Sequence, residues 1–308
     1  MPESPRLGII GFGEVGYYTS KGLKASGFGD ICAYNSGHHH RPPYSQQYRQ
    51  RAEEVGVTLM DSLADLAGRC QIILSSTSPA TAVEVARQAA PFLGPGHLYV
   101  DINSCGPRVK VEAATHIEAA GARLLDACLL ASPASSLHKG LTYLSGPGAE
   151  DFQGAFAPYG MDLEVISGGK VGDAALLKML RSIITKGTMT VLWELTYAAY
   201  KCGVDLHQFE RALGGFRGDF FASAERIVGY GYFHARRRAE ESHEMQETLR
   251  EYGVDPFLAE AYEKRFGWAA HWEEELRQRF GNDAIPSALE VVKAIEALER
   301  QATHAGPP

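Results

Sequence analysis

The sequence predicts an α/β protein in which a doubly wound sheet, residues 1–168, precedes an all-helical domain, residues 169–308. Two observations predict this class. Short apolar runs alternate with helical patterns through the first part of the chain, which is typical of β–α–β units and a parallel sheet. After Gly168 the patterns are all helical, and no further strand pattern occurs.

The size and charge of the chain limit the kinds of molecule that it is expected to bind. Its 308 residues suffice for two domains, and its hydrophobic content of 45% is that of an ordinary globular protein. A net charge of −7 disfavours nucleic acid and anionic membranes. No apolar run approaches the roughly 20 residues of a membrane-spanning helix. Five scattered cysteines without a Cys-x-x-Cys pair indicate reduced thiols, so we expect a cytoplasmic location.

A glycine-rich turn follows the first predicted strand and precedes a helix predicted from about residue 13 to residue 26. It comprises Gly11, Phe12, Gly13, Glu14, Val15 and Gly16, the pattern Gly-x-Gly-x-x-Gly. Gly11 permits a tight turn, Gly13 lets a pyrophosphate approach the backbone, and Gly16 lets helix and strand pack closely. The N–H groups of the first helical turn attract phosphate. We predict that these six residues form a Rossmann-type dinucleotide site; the alternative is a purely structural turn.

The loop after the second predicted strand, residues 30–34, bears on the choice of cofactor. In sites that prefer NAD, an acidic residue near this strand end holds the ribose hydroxyls. This loop instead offers Asn35, Ser36, three histidines at 38–40 and Arg41, which suit the 2′-phosphate of NADP. We therefore predict NADP, with NAD as the alternative. Another alternative is a solvated loop in which the histidines have no function. We expect no metal ion here, because the side chains of three adjacent histidines cannot all converge on one ion.

Further strands and helices continue the alternation. Strands are predicted at residues 57–59, 71–75, 98–101, 123–127, 141–146 and 161–166, with helices at 46–55 and 61–68. Ligands bind at the carboxyl ends of the strands in open parallel sheets. Ser75, Ser76 and Thr77 lie at such an end, so we predict that they contact the cofactor.

One long helix, from residue 171 to about residue 201, is predicted to join the two domains. Between residues 174 and 200 its only charged residues are Lys178, Arg181, Lys186 and Glu194. A helix that is apolar nearly all round is a buried helix. Beyond it, helical patterns cover residues 205–213, 219–231, 234–252, 256–278 and 285–300.

A polar stripe interrupts this apolar helix. Lys178, Arg181, Ser182 and Thr185 lie at the spacing i, i+3, i+4 and i+7, which places them on one face. Lysine is rarely buried unless it is paired or reactive. Burial lowers the lysine pKa toward neutrality, where the amine can exchange a proton with a substrate hydroxyl. The alternative is a lysine whose ammonium reaches solvent.

Four segments together resemble the β-hydroxyacid dehydrogenase superfamily, which includes 3-hydroxyisobutyrate and 6-phosphogluconate dehydrogenases. They are Gly11–Gly16, Asp101–Ser104 with Pro107, Asp126–Gly146, and Gly172 with Lys178. Their order and spacing both match, and the resemblance covers about residues 6–200. The segment around residues 234–241 resembles the C-terminal domain of a poorly characterised 6-phosphogluconate dehydrogenase-like branch.

The resemblance implies roles for individual residues. Lys178 matches the catalytic acid/base, and Asn103 and Ser104 match positions near the nicotinamide and the substrate. Ser182 stands where relatives carry an asparagine, which makes it the fourth catalytic candidate. Thr185 replaces the general-acid glutamate of the decarboxylating phosphogluconate enzymes, which argues against 6-phosphogluconate as the substrate.

Two further groups are candidates for substrate binding. Leu130, Ala131 and Ser132 stand where relatives carry Ser-Gly-Gly to bind the substrate carboxylate, so this turn is rebuilt. Arg181, and His234 with Arg237 three residues on, are predicted to meet an anionic substrate. The alternative for the segment that carries His234 is a solvated helix with i,i+4 ion pairs.

Together these features predict an NADP-dependent oxidoreductase that acts on the hydroxyl-bearing carbon of a small hydroxy or sugar acid, with Lys178 as acid/base. One alternative is an imine reductase on the same fold, and another is a non-catalytic NADP-binding protein. We also expect a homodimer with shared clefts, because the long helix is too apolar for one small helical domain to cover.

Overall fold

The computed structural model describes residues 5–37, 41–181, 202–204, 232–236, 238–240, 243, 246, 250, 253–281 and 286–304. The chain divides into two compact units, Met1–Ile183 and Ile184–Pro308. The domain boundary predicted at residue 168 stays a prediction.

The first unit is built on one eight-stranded sheet with the order β3-β2-β1-β4-β5-β6-β7-β8. The strands are β1 Leu7–Ile10, β2 Ile31–Tyr34, β3 Thr58–Leu59, β4 Ile72–Ser75, β5 Leu98–Asp101, β6 Arg123–Leu129, β7 Thr142–Ser145 and β8 Leu163–Val165. The strand order reverses between β1 and β4, which is the point where ligands bind in doubly wound sheets. The predicted α/β class is confirmed.

Helices cover both faces of this sheet. They are α1 Glu14–Ala25, α2 Gln46–Val55, α3 Leu63–Arg69, α4 Ala82–Ala89, α5 Pro107–Ala119, α6 Pro133–Ser136 and α7 Ala149–Phe156, and residues 173–181 begin α8. Successive strand residues alternate between two buried cores: Val100 lies in one core and Tyr99 in the other. Because both faces are buried, the strands read as continuous apolar runs.

Local sequence signals explain where these helices start and stop. The Ser62 hydroxyl accepts a hydrogen bond from the Asp65 N–H at 3.0 Å and caps α3. Pro107 opens α5, where a missing N–H costs nothing. Gly56 ends α2 with a φ of 69°, a left-handed conformation that glycine adopts without strain.

β7 departs from the predicted parallel arrangement, because it runs antiparallel to β6. A parallel neighbour needs a crossover connection, usually made by a full helix. The connection here carries only α6, a helix of four residues. β8 then pairs parallel to β7 and completes the sheet, which is therefore mostly rather than wholly parallel.

The second unit is helical wherever its regular structure is described. After a 3-10 turn, Tyr232–His234, the helices with described bounds are α9 Phe257–Ala270, α10 Glu273–Phe280 and α11 Ala288–His304. Their core holds Phe233, Trp272, Leu276 and Ile295. The single helix predicted over residues 256–278 is wrong: the chain turns at Trp272, whose ring packs into this core, and α10 starts afresh.

Among the described residues, no helix combines the length and the apolarity needed to cross a membrane.

Candidate functional site

The glycine-rich turn lies between β1 and α1 and is sterically specified at two of its glycines. Gly11 has a φ of +94°, and a Cβ there would lie 2.4 Å from the carbonyl oxygen of Ser76. A Cβ at Gly16 would lie 2.6 Å from the carbonyl oxygen of Gly11. A Cβ at Gly13 would meet nothing within 4 Å, so the backbone there is open to a ligand. The turn therefore needs glycine for its shape at two positions and leaves the third accessible.

A cavity of about 480 Å³ opens beside this turn, at the carboxyl ends of β1, β2 and β4. Six residues of the predicted cofactor site line it: Gly11, Gly13, Asn35, Ser36, Ser76 and Thr77. Tyr48 on α2 and Glu84 on α4 line it as well, and neither is part of the sequence-based prediction. Both lie on helices that follow the binding strands, where no local motif marks them.

The remaining predicted cofactor residues lie elsewhere around the turn. Phe12 is wholly buried in the core, and Val15 packs against the same core. Glu14 is exposed at the start of α1, and Ser75 is buried at the end of β4. Arg41 is exposed in the loop after β2. The three neighbouring histidines lie outside the described residues.

Asn35 is tied to the glycine-rich turn. Its Oδ1 accepts a hydrogen bond from the Phe12 N–H at 2.6 Å, and its own N–H donates to the Tyr44 hydroxyl at 3.2 Å. That hydroxyl donates in turn to the Met60 carbonyl at 2.7 Å. Since Oδ1 is engaged, the side-chain amide nitrogen is the polar atom that Asn35 offers to the cavity.

Asn103 holds two strand ends together. Its Oδ1 accepts the Thr77 N–H at 2.6 Å, and its Nδ2 donates to Ser75 Oγ at 3.2 Å and to Asp101 Oδ1 at 2.7 Å. Both polar atoms of this buried amide are thus engaged within the protein. Asn103 braces the loops after β4 and β5, and a direct contact with cofactor or substrate stays a prediction.

Lys178 on α8 meets Ser104 on the loop after β5. Lys178 Nζ donates to Ser104 Oγ at 2.7 Å, so the structure brings these two predicted residues together. Burial lowers the pKa of Lys178 below its ordinary value. The charges of Lys110 and Arg181 lower that pKa further, whereas Cys128 and Asp126 raise it. A lysine that loses its proton more readily than usual therefore stands beside a hydroxyl.

The start of α8 is held by Asp126, at the middle of β6. Asp126 Oδ2 accepts hydrogen bonds from the Gly172 N–H at 3.1 Å and the Ala175 N–H at 3.0 Å. The Ser145 hydroxyl on β7 accepts the Ala174 N–H at 2.9 Å. A carboxylate is favoured here because the first N–H groups of a helix carry partial positive charge.

Lys110 on α5 is a buried cation that the sequence-based prediction missed. Its Nζ lies 3.0 Å from Asp101 Oδ1 and 3.2 Å from Asp126 Oδ1, and it donates to the Asp101 carbonyl at 2.6 Å. Burial alone would lower the pKa of Lys110, but the two carboxylates raise it above its ordinary value, so this lysine stays charged.

The predicted substrate residues are only partly described. Ser132 is the residue before α6, and its carbonyl accepts hydrogen bonds from the hydroxyls of Ser135 and Ser136. Arg181 is exposed on α8, and Ala131 is half-buried. His234 is described by its backbone alone, at the end of the 3-10 turn. Ser182, Thr185 and Arg237 lie outside the described residues, and the roles of the whole set stay predictions.

Comparison with known proteins shows which families and structures this chain resembles. The NAD binding domain of 6-phosphogluconate dehydrogenase matches residues 6–157. A conserved protein of unknown function, MTH1747, with structural similarity to 3-hydroxyacid dehydrogenases, is 32% identical, with 86% of this chain and 97% of that chain covered and a TM-score of 0.58.

Imine reductases are more distant in sequence. The enzyme from Myxococcus stipitatus, in complex with NADP⁺, is 17% identical, with 87% of this chain and 94% of that chain covered and a TM-score of 0.70. Its V8 variant, in complex with NAD⁺, is 18% identical over the same shares, with a TM-score of 0.68.

The open backbone at Gly13 and the adjoining cavity fit a nicotinamide dinucleotide, so the fold and the site define a dinucleotide-binding protein of the oxidoreductase class. The chain belongs to the 6-phosphogluconate dehydrogenase-like family, together with the conserved protein that resembles 3-hydroxyacid dehydrogenases.

Proposed function

We propose that this protein is an NADP-dependent oxidoreductase that transfers hydride between the nicotinamide and the hydroxyl-bearing carbon of a small hydroxy or sugar acid. The observation that carries the proposal is the 2.7 Å hydrogen bond from Lys178 Nζ to Ser104 Oγ. It supports an acid/base pair at the carboxyl end of the sheet, where ligands bind in this fold.

Lys178 is the group that moves the proton. In oxidation, the neutral amine takes the proton from the substrate hydroxyl as the carbon–hydrogen bond breaks; in reduction, the ammonium returns a proton to the carbonyl oxygen. The bound nicotinamide supplies the acceptor or donor of the hydride. Ser104 holds the amine in place through its hydroxyl, and burial lowers the pKa of Lys178 so that the neutral form is accessible.

The preference for NADP rests on the loop after β2. The cavity is lined there by Asn35 and Ser36, and the end of β2 carries no carboxylate to accept the ribose hydroxyls of NAD. The Asn35 amide nitrogen is a donor suited to phosphate oxygens, and the exposed Arg41 lies on the same loop. These features favour a 2′-phosphate over a bare hydroxyl.

The second candidate is imine reduction, because the imine reductases share this fold. Lys178 then serves as a proton donor to the substrate nitrogen, or takes no part. The two candidates differ in how strongly turnover depends on Lys178, since only the alcohol reaction needs a base to remove a hydroxyl proton.

A turnover screen tests both candidates. Hydroxy acids, sugar acids, keto acids and cyclic imines are supplied with NADP⁺ or NADPH, and nicotinamide absorbance is followed in the parent protein and in Lys178→Met. Turnover of a hydroxy acid that is lost in the variant supports the proposal. Turnover confined to imines, or no turnover alongside tight NADPH binding, contradicts it.

We also propose a homodimer with shared clefts. Leu176 and Leu180, four residues apart on α8, are 46% and 57% exposed, and a second copy of the chain would cover this apolar pair. Light scattering at micromolar concentration should give the mass of two chains; a one-chain mass with full activity contradicts this proposal.

A further inference from the structure

A buried ion cluster lies beneath the Lys178–Ser104 pair. It consists of Asp101, Lys110 and Asp126, whose side chains are at most 1% exposed. Removing three charges from water is costly, and replacing such groups by apolar residues is often neutral or stabilising. No member of the cluster gives or takes the proton in the transfer proposed above. Its hydrogen bonds lead to the two residues of the Lys178–Ser104 pair.

The first arm of the cluster, by which we mean the hydrogen bonds made by Asp101, leads to Ser104. Asp101 Oδ1 accepts hydrogen bonds from the Asn103 N–H at 2.9 Å and from Asn103 Nδ2 at 2.7 Å. These bonds fix the turn that leaves β5, and Ser104 is the next residue of that turn. The Asp101 carboxylate therefore sets the position of the hydroxyl that accepts from Lys178.

The other arm runs to Lys178. Asp126 Oδ2 accepts two N–H groups at the start of α8, that of Gly172 just before the helix and that of Ala175 in its first turn. Lys178 is three residues beyond Ala175, on the same helix. The Asp126 carboxylate therefore sets the position of the amine, and Lys110 lies between the two arms, within 3.2 Å of both carboxylates.

We propose that Lys110 is a positioning residue for the acid/base pair: its ammonium joins the Asp101 carboxylate to the Asp126 carboxylate and so aligns Lys178 Nζ with Ser104 Oγ. The inference rests on the proposed function and adds a second lysine, Lys110, to the same site. Lys110 reaches no ligand itself, because it is wholly buried.

The charges of the cluster also shift the pKa of Lys178, and the positive and negative members shift it in opposite directions. Among the residues that the structure describes, the groups whose charges act on its amine include Cys128 and Asp126 on β6, Lys110 on α5 and Arg181 on α8 itself. Burial lowers the pKa of Lys178, Lys110 lowers it by repulsion, and Asp126 raises it. Removing Lys110 and removing the charge of Asp126 should therefore move the titration of Lys178 in opposite directions.

The test uses the full-length protein in four variants: Lys110→Met, Lys110→Arg, Asp126→Asn and the control Lys170→Met, which removes an exposed positive charge near the start of α8. Acetylation of Lys178 by acetic anhydride is followed against pH by peptide mass spectrometry. We expect the midpoint to rise in Lys110→Met and to fall in Asp126→Asn. Lys110→Arg and the control should stay near the parent value.

Turnover supplies the second readout. Since a misplacement of about 1 Å can cost about 10²-fold in rate, kcat should fall by about that factor in Lys110→Met. The dissociation constant for NADPH should change little, because the cavity is lined by other elements. Lys110→Arg should recover part of the loss, which a purely space-filling role of the side chain would not predict.

Each outcome bears on the inference. A folded Lys110→Met protein whose kcat and Lys178 midpoint equal those of the parent overturns it. If Lys110→Met does not fold, Asp126→Asn decides: a lowered midpoint with reduced kcat supports the inference, and parent values for both overturn it. If no substrate turns over, the proposed function fails, while the midpoints still test whether the charges of Lys110 and Asp126 act on Lys178.

Discussion

Asn35 and Asn103 each accept a backbone N–H on the side-chain oxygen at 2.6 Å, yet they serve two different halves of the site. Asn35 belongs to the glycine half, which comprises residues 11–16, Asn35, Ser36 and Ser76. Asn103 belongs to the lysine half, which comprises the ion cluster, Asn103, Ser104 and the start of α8. In the first half the asparagine keeps a donor for the cavity, and in the second both polar atoms are used internally.

The two halves are held by different forces. Uncharged contacts hold the glycine half: the Ser76 hydroxyl donates to the Gly11 carbonyl at 2.7 Å, Asn35 Oδ1 accepts the Phe12 N–H, and the backbone packs closely at Gly11 and Gly16. Buried ion pairs hold the lysine half. The glycine half needs only the right shape to bind the large dinucleotide. A proton-transfer group such as Lys178 also needs neighbouring charges that adjust its pKa.

The largest effect expected from this difference is on rate. Lys178→Met should reduce turnover by about 10²–10⁴-fold, because it removes the acid/base group while leaving the glycine half untouched. Steady-state kinetics with the substrate found in the screen, together with NADPH titration, measures both quantities. Lys139→Met, an exposed lysine distant in sequence, is the matched control. Near-parent turnover in Lys178→Met would mean that the lysine is structural.

Gly11→Ala should instead disrupt the glycine half of the site. The new Cβ would meet the Ser76 carbonyl at 2.4 Å, at a φ of +94° that non-glycine residues rarely adopt. Such a backbone position costs on the order of 1–3 kcal/mol. We expect a lower Tm and weaker NADPH binding, measured by calorimetry. Gly13→Ala, whose Cβ meets nothing within 4 Å, should keep the parent Tm; equal Tm losses in both variants would contradict the steric account.

Asn35→Asp should change the preference of the glycine half without altering the lysine half. One carboxylate oxygen can still accept the Phe12 N–H, while the other repels a 2′-phosphate and accepts from ribose hydroxyls. We expect the ratio of the NADP and NAD dissociation constants to move toward NAD by about tenfold, which is about 1.4 kcal/mol. A parent protein that binds NAD as tightly as NADP would remove the basis of this prediction.

The smallest expected effect is a shift in pH dependence. Oxidation needs the neutral amine, so kcat/KM for oxidation should rise with pH, with a midpoint below 10.5, because burial lowers the pKa of Lys178 from that value. Arg181→Met removes a repelling charge, so the midpoint should move upward by a fraction of a unit. A midpoint at or above the ordinary lysine value in the parent protein would contradict the lowered pKa.

The sequence predicts the two halves unequally, for physical reasons. The glycine half depends on contiguous residues, so Gly11, Gly13 and Gly16 disclose it directly. The lysine half depends on ion pairs between α5, β5 and β6, which no local pattern reports. One signal does mark Lys110: it shares the buried face of α5 with Ala113, Ala114 and Ile117, at the spacing i, i+3, i+4 and i+7.

Elements were predicted best where the local signal was strong. The strand predicted over residues 98–101 is β5 as observed. The antiparallel direction of β7 could not be read from apolar periodicity, because both directions bury the same residues. The turn at Trp272 gives no local signal because helical periodicity runs through it, whereas the burial of Trp272 in the core of the second unit is a tertiary contact.

The charges of the buried cluster have a consequence for sequence variation. Two carboxylates share one ammonium, and the amino end of α8 supplies about half a positive charge more. Loss of the ammonium alone would leave two unpaired anions out of water, and loss of one carboxylate alone would change the balance again. We therefore expect positions 101, 110 and 126 to vary together among relatives, with an apolar residue at 110 accompanied by an uncharged residue at 101 or 126.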